Sequence, residues 1–528
     1  MDLERVVQAL QDPDAYPHPV DAPVVHHTHI SVVFLAGPFA YKVKKPVDLG
    51  FLDFTTLEKR RHFCGEEVRL NRRLAPDIYL GVVPLVEREG GLSVGGPGEP
   101  VEYAVKMRRL PAEATALRRL ERDELAAEEL VRLAGRIADF HAGAARGEHV
   151  ARFGRWDVVA GNARENFEQS RVQAGPVVDG SVLERTERLT EGALARHRER
   201  IEARADAGVP RDTHGDLHLD HVYILPERGP GDDLVVVDCI EFNERFRYAD
   251  PISDMAFLAM DLAFRGRRDL SETFTSAYVE ASGDGEGAEL VPLYRAYRAA
   301  VRGKVDGMIA LDEEVPEDAR RRARERARAY WLLSLGELED PGRRPCLVLV
   351  GGLPGTGKST LAAGLARRAG FEVLSSDEVR KELAGVPAGR GAAAPYGEGI
   401  YAPAWTERTY AALCDRARER LASGRRVLID ASFHDEERRL AVVEVAKRLA
   451  VPVLFLVCEV DPEVVEERLR SRRRGASDAG RSVYREMAGR WQPPGECTGP
   501  LVRPVDAAVS AEESLDAAIE LLRAEGLA

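Results

Sequence analysis

Apolar and polar positions follow two different rhythms along the chain. In the first hundred residues they alternate with a period near two, broken by turn residues. A short helix is expected at 2–11, ended by Asp12-Pro13. Residues 31–35 form an apolar run, Ala36-Gly37-Pro38 turns it, and 39–45 returns, which predicts a hairpin. On its second strand Ala40, Lys42 and Lys44 share one face, opposite Tyr41, Val43 and Lys45. A charged helix carrying Glu66 and Glu67 follows at 56–74, then strands at 79–87 and 101–108. After Leu110-Pro111 the spacing turns helical, with long amphipathic helices at 113–145 and 182–205. A strand at 234–238 interrupts this region, and helical patterns then fill 252–335. Strands first and helices afterwards predict an α+β, two-lobed domain.

The second rhythm begins after 337–345, a polar, turn-rich stretch that reads as a linker. Apolar runs at 346–350, 371–375, 426–430 and 452–458 alternate with helical patterns, as in a parallel, doubly wound α/β sheet. The predicted domains are therefore 1–336 and 346–528.

Composition adds limits. A chain of 528 residues is long for one domain, and its 44% hydrophobic and 31% charged content is globular. A net charge of −13 disfavours nucleic acid as an obligatory partner. Of the 75 basic residues 66 are arginines, so the cluster Lys42, Lys44 and Lys45 stands out. The six cysteines form no Cys-x-x-Cys pair, which argues for a reducing compartment without a zinc knuckle or disulfide framework. The first residues lack the basic and apolar regions of a signal peptide, and no apolar stretch reaches membrane length. The expected location is the cytoplasm, with no membrane partner.

The chemistry of the second half centres on Gly351-Gly-Leu-Pro-Gly-Thr-Gly-Lys-Ser-Thr360, set between a strand and a helix. Gly352, Gly357, Lys358 and Ser359 fit the phosphate-loop spacing. Gly352, Gly355, Thr356, Gly357 and Thr360 belong to the loop that turns backbone N–H groups toward a phosphate. Lys358 is expected to neutralise the β and γ phosphates and Ser359 to hold Mg²⁺. Asp377, in Ser375-Ser-Asp-Glu-Val-Arg380, follows the second strand and can take a proton from an acceptor hydroxyl, while Arg380 can hold an anionic group. Asp430 ends a third strand and either orders Mg²⁺ or positions substrate. Arg468 and Arg472 share a helix face and can reach over the nucleotide as a lid. Residues 384–404 read as a substrate cover.

In the first half the dense stretch is His214-Gly-Asp-Leu-His-Leu-Asp-His221, followed by Asp238 at the end of an apolar strand. Asp216 is placed to orient or deprotonate a hydroxyl, and Asp238 to bind a metal that bridges phosphates. Zinc on His214, His218 and His221 is disfavoured, because their spacing matches no common zinc site.

These motifs carry two resemblances. The stretch 343–528 resembles the small-molecule and polynucleotide kinase branch of P-loop proteins, with zeta-type toxins and chloramphenicol kinase-like proteins on the same plan. That resemblance implies Asp377 as the base and Arg380 as a substrate-phosphate contact. The stretch 25–335 resembles aminoglycoside phosphotransferase-like kinases, whose motif is His-Gly-Asp-x-x-x-x-Asn. It implies Asp216 as the catalytic aspartate and Asp238 as a metal ligand. It also implies Lys42 or Lys44 as the strand lysine, with Glu67 or Glu66 as its partner, and 103–110 as the adenine-side hinge. His221 stands at the position of the family's metal-binding asparagine, and Ala36-Gly37-Pro38 replaces its glycine-rich loop.

In this order the halves look like the bacterial fusion of an aminoglycoside phosphotransferase-like domain with a P-loop kinase. The expectation is an ATP- and Mg²⁺-dependent kinase acting on a hydroxyl of a small molecule. The rivals are a polynucleotide 5′-hydroxyl kinase and an ATP-sensing regulator in which one half binds nucleotide without catalysis.

Overall fold

The computed structural model describes residues 3–88, 91–229, 231–386, 398–471 and 481–528. They divide into two compact units. The first holds 1–159, 197–262 and 268–294; the second holds 160–196, 263–267 and 295–528.

In the first unit six antiparallel strands form one sheet: β1 (Val24–His27), β2 (Ser31–Ala36), β3 (Phe39–Lys44), β4 (Tyr79–Arg88), β5 (Gly91–Val94) and β6 (Pro100–Arg108), in the order β1-β2-β3-β6-β4-β5. The predicted hairpin pairs Ala36 with Phe39 across Gly37-Pro38, and Gly37 takes the positive φ (+56°) that so short a turn needs. β1 and β5, four residues each at the two edges of the sheet, were not expected. Helix Leu57–Asn71 is capped by Thr56, whose hydroxyl accepts from the Lys59 N–H. It brings Glu67 beneath the sheet with its side chain fully buried.

The two long helices predicted next are each divided. Ala116–Glu121 and Ala127–Gly143 are separated around Asp123, which has φ +56°, and Gly180–Arg196 and Arg198–Asp206 are separated at His197. Beyond them lie two small ladders. Arg211–Asp212 (β7) pairs with Tyr248–Ala249 (β10), and between these in sequence β8 (Val222–Ile224) pairs with β9 (Leu234–Val236). Helix Pro251–Phe264 is buried along almost its whole length.

The second unit is built on a parallel sheet of β11 (Leu347–Gly351), β12 (Glu372–Ser375), β13 (Val427–Asp430), β14 (Val453–Glu459) and β15 (Val502–Asp506), in the order β12-β13-β11-β14-β15. Four of these strands were expected. The fifth is a polar edge strand containing Pro504, which sequence patterning scores poorly.

One face of this sheet packs on a core that includes Phe167, Val182, Trp331 and Leu335 from helices Trp156–Ser170, Gly180–Arg196 and Glu317–Leu338. The stretch 337–345 is tied into the same unit. Buried Glu339 accepts from Arg185, and the Gly342 carbonyl accepts from Arg426.

Candidate active sites

The amino-terminal site gathers around β3. Lys42 and Lys44 point to the same face, and both reach Glu67. Lys42 Nζ lies 3.0 Å from Oε1 and Lys44 Nζ 2.8 Å from Oε2. Glu66 instead pairs with Arg69 at the surface. Lys42 also sits 2.5 Å from Asp238 Oδ1, whereas Lys44, fully buried, is held by Glu241. Burial pulls the Lys42 ammonium down, but Asp238, Glu67 and Glu241 outweigh it and hold the charge. Burial likewise opposes ionisation of Asp238, and Lys42 and His221 more than offset it, so its carboxyl stays well below the usual range.

The His-Gly-Asp corner is fixed from behind. Asp254, completely buried, accepts from the His214 N–H (3.0 Å) and the Gly215 N–H (2.8 Å), and also contacts His141 Nε2 (3.0 Å). Gly215 has φ +86°, and a Cβ there would sit 2.8 Å from the Phe246 carbonyl oxygen, so no other residue fits. Burial pushes the His214 imidazole down to about 4, and Nε2 donates to the Val237 carbonyl at 2.9 Å. Asp261 accepts from the Leu219 N–H at 3.1 Å.

Asp216, His218 and His221 converge, their ligand atoms lying within 4.8 Å of one another. Asp238 follows β9 with φ +64°, a strained conformation for a residue with a side chain, and its N–H donates to the Tyr79 hydroxyl at 3.1 Å. Residues 103–108 lie inside β6, so of the expected hinge only Arg109 and Leu110 leave the sheet.

Asp254, Asp261, Glu241 and Tyr79 were not singled out from the sequence. The first two had a readable signal: two acids seven residues apart on one face of an otherwise apolar helix.

The carboxy-terminal site lies at the carboxyl edge of the parallel sheet. Gly352, Gly355 and Gly357 have φ of +139°, +87° and +96°, and helix Lys358–Ala369 starts where the loop ends. A Cβ on Gly352 would meet Thr356 Oγ1 at 2.8 Å and the Cys458 carbonyl at 3.0 Å. The loop therefore wraps a concave backbone that side chains would fill. A cavity of 310 Å³ opens beside it, lined by Gly355, Lys358, Ser359, Thr360, Arg468 and Val509 among others.

β13 runs between β11 and β12, with Asp430 level with Val350 and Ser375. Burial raises the Asp430 carboxyl, against the pull of Lys358 and a hydrogen bond from Ser359, and its Oδ1 has no hydrogen-bond partner among the described residues. A buried carboxylate with a free oxygen beside the loop hydroxyl is what a divalent cation on bound phosphates requires, so these residues fit Mg²⁺.

Asp377, two residues past β12, accepts from the Tyr401 hydroxyl at 3.2 Å, and Lys381 Nζ lies 2.8 Å from its other oxygen. Arg380 is buried. It donates to the Ile400 carbonyl and to Thr406 Oγ1, both at 3.0 Å, and lies over the Tyr401 ring. Its visible contacts therefore organise 400–406. Arg468 reaches the Ala508 carbonyl at 3.4 Å. Arg472, and residues 387–397 of the expected cover, lie outside the described residues. Among the described residues no helix is long and apolar enough to cross a membrane.

Comparison with known proteins places families on both halves. Residues 62–299 match a family model described as "Phosphotransferase enzyme family", and 347–494 match one described as "AAA domain". Proteins described as uncharacterized from Mycobacterium bovis and Mycobacterium tuberculosis are each 34% identical over 479 residues, covering 90% of this chain and 91% of theirs.

Among solved structures, a sugar kinase from Janibacter is 19% identical, with 34% of this chain and 94% of that one covered and a TM-score of 0.27. A gluconokinase from Sinorhizobium meliloti is 20% identical, covering 35% and 95%, with a TM-score of 0.26. Kinase-type domains in both halves make this a phosphotransferase.

Proposed function

The chain belongs to the family of these mycobacterial proteins, and from its own phosphotransferase-family and P-loop kinase-like domains we propose that it moves the γ-phosphoryl group of ATP to a hydroxyl of a small molecule. The observation that carries this reading is the convergence of Lys358, Ser359, Asp377 and Asp430 at one edge of the parallel sheet. A nucleotide-hydrolysing motor needs the phosphate loop and the metal aspartate. Asp377, in the first turn of the helix that follows β12 and accepting from the Tyr401 hydroxyl, is the additional group that a hydroxyl acceptor calls for.

In the carboxy-terminal half Gly352 to Thr360 cradle the phosphates, Lys358 neutralises them, and Arg468 borders the cavity they enter. Asp377 takes the acceptor proton as the acceptor oxygen bonds to the γ-phosphorus and ADP leaves. In the amino-terminal half Lys42 is the phosphate-facing lysine, Lys44 supports Glu67 from behind, and Asp216 orients the acceptor hydroxyl. When bound, a divalent cation neutralises charge on the phosphates; Ser359 and Asp430 would hold Mg²⁺ in one half, and Asp238 and His221 would hold the corresponding cation in the other. We assign the two catalytic folds to 1–336 and 346–528, and the protein to the cytoplasm.

The test is a screen of the full chain with ATP against sugars, aminocyclitols, nucleosides and oligonucleotides, repeated with Lys358→Ala and Asp216→Asn. Each variant is expected to lose a distinct product. A Lys358→Ala protein with product and ATP turnover intact would overturn the carboxy-terminal assignment. Labelling of oligonucleotides alone would point to a polynucleotide kinase, and nucleotide binding without any product to a sensor.

A further inference from the structure

We propose that the pocket of Asp216, His218, His221 and Asp238 selects a borderline transition cation, Mn²⁺, Co²⁺ or Zn²⁺, over Mg²⁺. This rests on reading that pocket as the metal–nucleotide site of the amino-terminal half.

The argument starts from the His221 ring. Its Nδ1 lies 2.9 Å from the main-chain oxygen of Asp216, which can only accept, so Nδ1 carries the proton and Nε2 keeps its lone pair. A ring N–H tied to a backbone carbonyl is how proteins orient a metal-binding histidine.

Nε2 then faces Asp238 Oδ2 at 3.6 Å. Two ligand atoms bound at about 2.1 Å to one ion stand roughly 3–3.5 Å apart, so a shared cation asks for little movement. The other Asp238 oxygen is occupied by Lys42, which leaves Oδ2 on the His221 side. A second imidazole is at hand: His218 Nε2 lies 3.5 Å from Asp216 Oδ2, and its ring centroid is 3.9 Å from that of His221.

Charge points the same way. Lys42 and Lys44 meet three carboxylates, Glu67, Glu241 and Asp238, so one negative charge is left over beside Nε2.

Mg²⁺ favours oxygen ligands and releases water reluctantly, whereas imidazole nitrogen suits the borderline metals. Among the described residues the carboxy-terminal site offers the oxygens of Ser359 and Asp430 and no imidazole in contact with them. The two halves therefore differ in the cation they take.

The experiment titrates Mn²⁺ alone into the full chain and follows it by electron paramagnetic resonance. Electron spin echo modulation then reports any ¹⁴N ligand, which an oxygen-only site lacks. The wild type is expected to show nitrogen coupling. His221→Asn is expected to lose the His221 contribution to it, with Mn²⁺ affinity relative to Mg²⁺ falling 10-fold or more. His218→Asn provides a second variant that retains the Asp238–His221 pair and its coupling.

Bound Mn²⁺ without nitrogen coupling, no bound Mn²⁺ at millimolar concentration, or an unchanged Mn²⁺/Mg²⁺ ratio in His221→Asn would overturn the inference. ATP added in a Lys358→Ala background separates the two readings. Nitrogen coupling that ATP leaves untouched sinks the nucleotide reading and keeps the metal site. ATP binding equally well with either metal, in both wild type and His221→Asn, keeps the nucleotide reading and sinks this one.

Discussion

Replacing Lys44 by methionine probes the buried charge cluster most directly. The side chain is fully buried, with its ammonium 2.8 Å from Glu67 Oε2 and bonded to Glu241. Methionine fills a similar volume but leaves two buried carboxylates facing each other, with Lys42 as the remaining cation in contact with Glu67 and Asp238. Removing one partner of a buried ion pair costs about 3–5 kcal/mol. At a urea slope of about 2 kcal/mol/M, a cost near 4 kcal/mol lowers the midpoint by about 2 M.

The loss should depend on pH. Without Lys44 the folded-state carboxyls rise above their unfolded values, as burial already does to Glu241. A raised carboxyl contributes stability at low pH and loses it as pH climbs through the folded value, so the deficit should be largest at pH 7 and shrink toward pH 5. The double variant Lys44→Met/Glu241→Gln should recover about 1–3 kcal/mol of it. The assay is urea-dependent hydrogen exchange of the 39–44 peptide at both pH values, which isolates this sheet from the rest of a two-unit chain. A deficit independent of pH, or a double variant no more stable than the single one, would refute the charge argument.

Asp254→Ala strips acceptors from two buried N–H groups and should cost about 3 kcal/mol while abolishing any amino-terminal product, with the carboxy-terminal product kept; separate product assays check this. Gly352→Ala places a Cβ 2.8 Å from Thr356 Oγ1 and should remove ATP binding at the phosphate loop, read by calorimetry in an Asp216→Asn background. His214 has a folded value near 4, below its unfolded one, so its contribution is present above about pH 6.5 and is lost as pH falls toward 4; His214→Gln should flatten the pH dependence of the denaturation midpoint in that window. A fragment starting at 343 should expose the apolar face that Val182, Trp331 and Leu335 cover, and so bind hydrophobic dyes and precipitate, whereas the full chain does not.

The sequence by itself determined the two fold types and where in the chain the two proposed phosphate sites fall. The reason is that local patterns encode them. A phosphate loop needs glycines at fixed spacing between a strand and a helix, and strands that alternate with helices favour a parallel sheet. Asp377, Asp430, Asp216 and Asp238 were legible because each follows, or lies close to, an apolar strand or a glycine corner. What the sequence left open was decided by contacts between residues far apart in the chain.

Glu67 rather than Glu66 turns inward because the helix phase over 57–71 places it under β3, and both lysines share it because side chains two apart on a strand face the same way. Lys42 and Lys44 part company only through Asp238 and Glu241, nearly two hundred residues on. The spacing of Asp254 on its apolar helix marks it as unusual, but that it anchors the His-Gly-Asp corner some forty residues earlier is shown only by the contact. So is the packing of helices 160–196 and 295–338 onto the parallel sheet, because an amphipathic face states that a helix must be covered and not by what.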